Sequence, residues 1–122
     1  IMIKRYEEIE HVMIHEMKGG KGTVERIPSV VPGEYESDAK VVTRLILKPG
    51  VSIGAHVHEQ EEEIMTILAG TAKYTDQGKE VLLKAGDVAV CLSGQKHAVE
   101  NASDTEDLEI FALVIGVPAD RE

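Results

Sequence analysis

The chain has 122 residues, a length that fits one domain with one hydrophobic core. Apolar residues make up 43% of it, which excludes a disordered composition, and because aromatic residues make up only 3%, Val, Ile and Leu must fill the core. The net charge of −9 argues against a nucleic-acid backbone or an anionic membrane surface as the partner.

The single cysteine, Cys91, excludes an intrachain disulfide and lies in an apolar run, where we expect a small buried core residue. No segment approaches the roughly 20 apolar residues of a membrane span. The N-terminal segment is rich in Glu and has no apolar signal core. We therefore expect a cytoplasmic protein with neither a membrane nor a nucleic acid as its partner.

The N-terminal arm, residues 1–22, contains His11 and His15, which would share one face of a helix and could form a metal pair. Because no third ligand lies nearby, we interpret them as histidines of the surface or of an edge strand. A glycine-rich hinge follows at residues 19–22. Residues 23–27 then predict a short strand, and the proline at the next position ends it.

The rest of the chain predicts short strands between glycine, proline and polar turns, with no long helix. The predicted strands cover residues 40–47, 51–58, 64–68, 71–75, 80–83, 88–92, 98–101 and 108–117. We expect a polar connector at residues 59–62 and a turn at residues 93–96 that delivers His97. This pattern is typical of an antiparallel all-β sandwich or barrel, so we predict one domain over residues 1–122 with its barrel core at residues 40–117.

Four side chains of this barrel could hold one metal ion. His56 and His58 lie two residues apart, so on a strand both imidazoles point to one face, with Cα atoms about 6.6 Å apart. Gly54, just before them, permits a bulge or a close approach of backbone. Glu63 follows, and His97 stands alone further along the chain. Imidazole and carboxylate suit borderline and hard divalent ions, so we interpret the four as ligands; the alternative is buried histidines that bind no metal.

These residues resemble the two sequence motifs of the cupin superfamily. The matching residues are Gly50, His56, His58, Glu63 and Gly70 in the first motif and Gly86, Gly94, His97 and Asn101 in the second. Leu92 stands where the second motif usually has a proline, a change at a turn that leaves the ligand positions intact. The two motifs together span about half of the chain.

The resemblance implies a jelly-roll barrel, also called a double-stranded β-helix, in which three His and one Glu bind one divalent metal ion. Mn, Fe, Ni or Zn are the metals that it suggests. It also implies a homodimer, since cupins often pair by exchanging an N-terminal strand. Residues 23–27, beyond their glycine hinge, are the candidate for that strand.

The alternation of side chains along strands predicts the walls of the pocket around the ion. If Glu63 points inward, Met65 and Ile67 do too, and Val99 follows His97 inward. Arg44 could clamp the carboxylate of a substrate, although a surface salt bridge is an equal alternative. Many active cupins carry a Tyr where this chain has Met65, so we find no convincing general acid or base.

Two functions are therefore weighed for this chain. The first is a small-molecule metalloenzyme of the dioxygenase, decarboxylase or isomerase type, with the ion acting as a Lewis acid or an O₂ site. The second is a binding or sensing protein that uses the metal to hold a small ligand without turnover. Whether the protein is an enzyme is left open by its sequence.

Overall fold

The computed structural model describes residues 2–119, which form ten β-strands and two short 3-10 segments. The 3-10 segments are Tyr6–Glu8 and Met17–Gly19. The strands are β1 (Val12–His15), β2 (Thr23–Val30), β3 (Ala39–Leu47), β4 (Ser52–Val57), β5 (Glu61–Ala69), β6 (Thr71–Asp76), β7 (Lys79–Lys84), β8 (Val88–Cys91), β9 (Lys96–Asn101) and β10 (Leu108–Gly116). The all-β prediction is confirmed. Residue 1 and residues 120–122, which the predicted domain includes, lie outside the described part.

The strands form two antiparallel sheets that face each other as the walls of a barrel. The larger sheet has the order β1-β2-β3-β10-β5-β8, and the smaller has the order β4-β9-β6-β7. Strict alternation along β10 buries Leu108, Ile110, Ala112 and Val114 against the barrel interior. Aliphatic residues therefore fill much of the barrel interior, together with the buried polar side chains of His58, Glu63 and His97. No helix within residues 2–119 is long and apolar enough to cross a membrane.

The N-terminal segments belong to the larger sheet. β2 lies between β1 and β3 and continues through Pro28 to Val30, beyond the predicted stop. The proline is tolerated because β1 pairs only with residues 23–26 of β2, so no N–H is needed at Pro28 on that side. Within one chain β2 pairs with its own β3. Exchange of this strand between two copies, and the homodimer, stay predictions.

Two of the predicted strands begin two or more residues earlier than the sequence prediction. β5 begins at Glu61, inside the predicted polar connector, and β9 begins at Lys96, so His97 lies within a strand and not at the end of a turn. The reason is pairing over long range: His97 faces His56 of β4 and Asp76 of β6. The polar residues at the starts of β5 and β9 give no local signal of a strand.

β4 contains an irregularity at the glycine that the sequence singled out. Its register with β9 shifts between Ile53 and His56, as a bulge requires. A Cβ atom on Gly54 would collide with the carbonyl oxygen of Lys18, and one on Gly20 would collide with that of Ser52. Because neither glycine has a side chain, the 3-10 segment Met17–Gly19 can lie directly against β4.

Candidate metal centre and its cavity

Four side chains from three strands converge inside the barrel. His56 lies on β4, His58 directly follows that strand, Glu63 lies on β5 and His97 lies on β9. One ligand atom from each residue can be chosen so that all four lie within 4.8 Å of one another. Glu63 and His97 are 6% and 2% exposed and His58 is buried too, whereas His56 is half-buried.

The ring nitrogens of the cluster are in direct contact. Nε2 of His97 lies 3.1 Å from Nε2 of His56 and 3.2 Å from Nε2 of His58. Oε1 of Glu63 lies 2.8 Å from Nε2 of His58 and 3.0 Å from Nε2 of His97. Three imidazoles thus present the same ring atom to one point, beside one carboxylate oxygen.

Each of the three imidazoles has a second partner at its other nitrogen. Nδ1 of His56 lies 2.7 Å from the carbonyl oxygen of Gly54, and Nδ1 of His58 lies 2.7 Å from Oε2 of Glu61. Because both partners are acceptors, these two Nδ1 atoms carry the proton and donate it. Their Nε2 atoms are then left with lone pairs toward the centre, the tautomer that a metal ligand needs.

Tyr74 is the second partner of His97. Its hydroxyl lies 2.8 Å from Nδ1 of His97. Burial, together with the nearby acidic groups Cys91, Glu63 and Asp76, raises the pKa of Tyr74 well above its ordinary value, so the phenol stays protonated. When Nε2 of His97 offers its lone pair, Nδ1–H donates to the phenol oxygen, and the ring is held in the same way as the other two.

The ionisation of the cluster favours ligand forms. Burial lowers the pKa of His56, against the opposing effect of the Gly54 carbonyl, and so keeps this ring neutral. Burial by itself would raise the pKa of Glu63, but the hydrogen bonds and electrostatic interactions with His97 and His58 outweigh it. The pKa of Glu63 is therefore lowered, and its carboxylate stays charged.

This donor set fits a divalent metal ion. Three neutral imidazole nitrogens and one carboxylate match the borderline and hard ions of the first transition series, and no thiolate is present to favour a soft one. Three lone pairs facing one another at 3.1–3.2 Å also repel unless a cation or a shared proton lies between them. His56, His58, Glu63 and His97 are thus positioned to hold a metal ion, as predicted from the sequence.

A cavity of about 230 Å³ opens beside the cluster. Apolar and polar side chains both line it. Besides His56, His58, Glu61 and Glu63, its walls are Met17, Lys18, Arg26, Lys40, Val41, Thr43, Leu45, Ile53, Met65, Ala112 and Val114. The volume lies below the roughly 300–1,000 Å³ of pockets for drug-sized ligands, so it suits a ligand of only a few heavy atoms.

The structure places the four residues that were predicted to bind substrate in different environments. Met65 lines the cavity, as a neighbour of Glu63 on β5. Ile67 and Val99 point inward but lie in the hydrophobic core and do not line the cavity. Arg44 does not reach the cavity, because Thr43 and Leu45 take the inward positions of β3. Its guanidinium lies 3.4 Å from Glu109 on the outer face, as the salt-bridge alternative states.

Three cations at the cavity were missed in the sequence. Arg26 lies on the inward face of β2 with Val24, and Lys18 and Lys40 line the same cavity. Alternation from the apolar Val24 would have indicated an inward Arg26. No local signal could have found Lys18, because the close approach of Gly20 and Gly54 places it there.

Two residues of the second motif have structural roles. Nδ2 of the buried Asn101 donates to the carbonyl oxygens of Leu47 at 2.9 Å and Glu106 at 2.8 Å, which fixes the loop before β10. The N–H of Leu92 donates to Oε1 of Gln95 at 2.9 Å, a bond that a proline could not make. Gln95 thus stabilises the turn that a proline would otherwise stiffen.

Comparisons with known proteins agree with this geometry. A family model described as a cupin domain matches residues 43–116. An oxalate-binding protein of Thermotoga maritima is 42% identical over 114 residues, 93% of each chain. A crystal structure of a predicted oxalate decarboxylase from Thermotoga maritima superposes with a TM-score of 0.89 at 41% identity, covering 95% of this chain and 100% of that one. A Klebsiella pneumoniae protein with a double-stranded β-helix domain has a TM-score of 0.63 at 33% identity, over 75% of this chain and 72% of that one.

Proposed function

This chain belongs to the cupin family, and from that premise we propose that it binds a small carboxylate anion at a divalent metal ion inside its barrel. His56, His58, Glu63 and His97 hold the ion in this proposal. Mn, Fe, Ni and Zn are the candidate metals, as the resemblance to cupins implies. When bound, the ion supplies a Lewis acid that attracts the oxygens of the ligand.

The number of ligands favours some of these metals. Four protein ligands leave two positions free on an octahedral ion, whereas they saturate a tetrahedral zinc ion. Binding of a carboxylate at the ion therefore fits Mn, Fe or Ni better than four-coordinate Zn. Elemental analysis of the purified protein decides among them, and a saturated zinc site would count against the proposed function.

The observation that carries the proposal is the shape and charge of the cavity beside the cluster. Its walls combine apolar side chains, such as Met65 and Val114, with the cations Lys18, Arg26 and Lys40. A small organic anion is the ligand class that satisfies both features. The relative that is 42% identical over 93% of this chain is named an oxalate-binding protein, which makes oxalate the first ligand to test.

The test is calorimetric titration of oxalate into the protein loaded in turn with Mn²⁺, Fe²⁺ or Ni²⁺. We expect binding to the loaded protein, and loss of both metal and oxalate binding in His58→Ala. His15→Ala is the matched control and should keep both, since His15 is exposed, ends the edge strand β1 and does not line the cavity. Full oxalate binding by the metal-free protein or by His58→Ala would refute the role of the metal.

The second candidate function is decarboxylation of the bound anion, the enzyme-type alternative. It is favoured by Glu61, a second carboxylate in the cavity, which contacts His58 and could move a proton there. In hydrogen oxalate the C–C bond breaks and CO₂ leaves. The electron pair stays on the other carbon, which takes the proton and becomes formate. A structural relative at 41% identity is described as a predicted oxalate decarboxylase.

Assay of formate and CO₂ distinguishes the binding protein from the enzyme. Formate that accumulates with the metal-loaded protein and falls in Glu61→Gln supports turnover. Oxalate recovered unchanged after long incubation leaves binding or sensing as the function. Dioxygenase and isomerase activity stay predictions from the resemblance to cupins.

A further inference from the structure

We infer that Arg26 forms a second anion subsite in the cavity, so that the ligand carries two anionic groups and not one. This inference rests on the proposed function, because it concerns the same cavity and the same carboxylate ligand. In this inference the guanidinium of Arg26, on β2, binds the carboxylate oxygens that face away from the four metal-ligating side chains.

The first support is an unsatisfied polar atom. Nε of Arg26 is the one buried side-chain nitrogen or oxygen among residues 2–119 that has no hydrogen-bond partner. A buried donor without a partner costs about 1–3 kcal/mol, and more when the group is charged. Nε itself is enclosed by protein, so a ligand oxygen in the cavity would meet the terminal Nη atoms of the half-buried guanidinium and offset this cost there.

The position of Arg26 directs its side chain to the ligand space. Arg26 pairs with Leu45 of β3 and lies on the inward face of β2, two residues from the fully buried Val24. Both Arg26 and Leu45 line the cavity that contains His56 and Glu63. A guanidinium offers several N–H donors in a planar fork, which matches the two oxygens of a carboxylate better than an ammonium group does.

The second support is the charge of the cavity. Lys18, Arg26 and Lys40 line it, and none of the three forms an ion pair within the described chain. Other cations of the protein do have such partners; Arg44, for example, pairs with Glu109. Lys18 and Lys40 are exposed and Arg26 is half-buried, so the positive potential that the three leave for a ligand centres on Arg26, the cation least screened by solvent.

The carboxylates of the cavity do not remove this potential. Glu61 and Glu63 are the two that line it, and both contact His58. The three cations outnumber them even before the charge of a divalent ion is counted. A monocarboxylate would leave Arg26 without an anionic partner, whereas a short dicarboxylate could contact the ion and the guanidinium together.

The experiment compares anions of one shape and different charge. Oxalate and oxamate differ only in the replacement of one carboxylate by a neutral amide, and malonate and malonamate form a second, longer pair. Each is titrated into the metal-loaded protein by calorimetry. We expect the dianion of at least one pair to bind about 10- to 100-fold more tightly than its amide, the range for a hydrogen bond to a charged group.

Variants then assign that preference to a residue. In Arg26→Gln we expect the preference for the dianion to fall to less than about threefold, while metal content stays that of the wild type. Arg26→Lys keeps the charge without the planar fork and should give an intermediate preference; because it disturbs packing least, it also serves if Arg26→Gln does not fold. Arg44→Gln is the matched control, since Arg44 lies on the outer face, and should keep the full preference.

The outcomes separate this inference from the function on which it rests. Oxalate binding with an unchanged dianion preference in Arg26→Gln and Arg26→Lys overturns the Arg26 subsite and leaves the proposed function standing. Equal binding of each dianion and its amide by the wild type overturns the subsite as well. Binding of no carboxylate by the metal-loaded wild type overturns both.

Discussion

The hydroxyl of Tyr74 lies 2.8 Å from Nδ1 of His97, on the side of the ring opposite the cluster of metal-ligating side chains. The two residues come from neighbouring strands of the smaller sheet, β6 and β9. His97 is buried and its Nε2 contacts His56, His58 and Glu63. The phenol therefore acts on the cluster by fixing the orientation of one of its rings.

Removing this hydroxyl should weaken metal binding. In Tyr74→Phe the ring still fills its place in the core, but Nδ1 of His97 loses its partner. We expect metal affinity to fall about 10- to 100-fold, as is typical when a partner of a metal ligand is lost. Competition with a chromophoric chelator measures it. Tyr35→Phe removes a hydroxyl that bonds to Ala39 outside the cavity and should change nothing; equal affinities in all three proteins would contradict the prediction.

Metal retention should decrease toward acid pH, with the loss beginning below 6.5. The ligands bind metal only when deprotonated, so protons compete with the ion. Burial lowers the pKa of His56 below 6.5, and the hydrogen bonds and electrostatic interactions with His97 and His58 lower that of Glu63 below 4.5. Both shifts move proton competition to lower pH. Dialysis at stepped pH followed by elemental analysis tests this, and release that is already complete at pH 7 would contradict it.

Gly54→Ala should destabilise the fold because the added methyl group meets the backbone of Lys18. We expect a loss of about 1–3 kcal/mol in the free energy of unfolding, the usual cost of overpacking. Urea denaturation measures it. Gly116→Ala is the matched control, since a Cβ there contacts chiefly the flexible end of Lys40. Similar losses in the two variants would contradict the role of the close approach, because the reduced entropy of the unfolded chain stabilises both variants alike.

Asn101→Ala should destabilise the protein without removing the metal site. The substitution leaves the carbonyl oxygens of Leu47 and Glu106 without their donor, at a cost of about 1–3 kcal/mol for buried groups. Thermal unfolding should show a lower Tm in the metal-free protein. Ser103→Ala, in the exposed part of the same loop, should cost less. A Tm equal to that of the wild type would argue that water replaces the lost bonds.

Much of this protein follows from local pattern. The alternation of apolar residues with turn signals determined the all-β class. The last strand along the chain, predicted at residues 108–117, is β10, which covers Leu108–Gly116. The spacing of His56 and His58 likewise determined that the two imidazoles share one face. Glu63 and His97 were added as ligands because imidazole and carboxylate suit the same ions, and both also stand at positions of the cupin motifs.

Other features depend on contacts between distant segments, which no local pattern records. The start of β9 at Lys96 follows from its pairing with β4 and β6, and the partner of His97 follows from the neighbouring position of Tyr74. Arg44 and Arg26 show the same limit. Both are basic residues on β-strands, but only Arg26 lines the cavity, because the register of β2 against β3 turns it inward while Arg44 faces Glu109. Sequence alone determined which residues could hold a metal; sheet pairing decided which of the two arginines lines the cavity, since a shift of one position reverses the face on which a side chain lies.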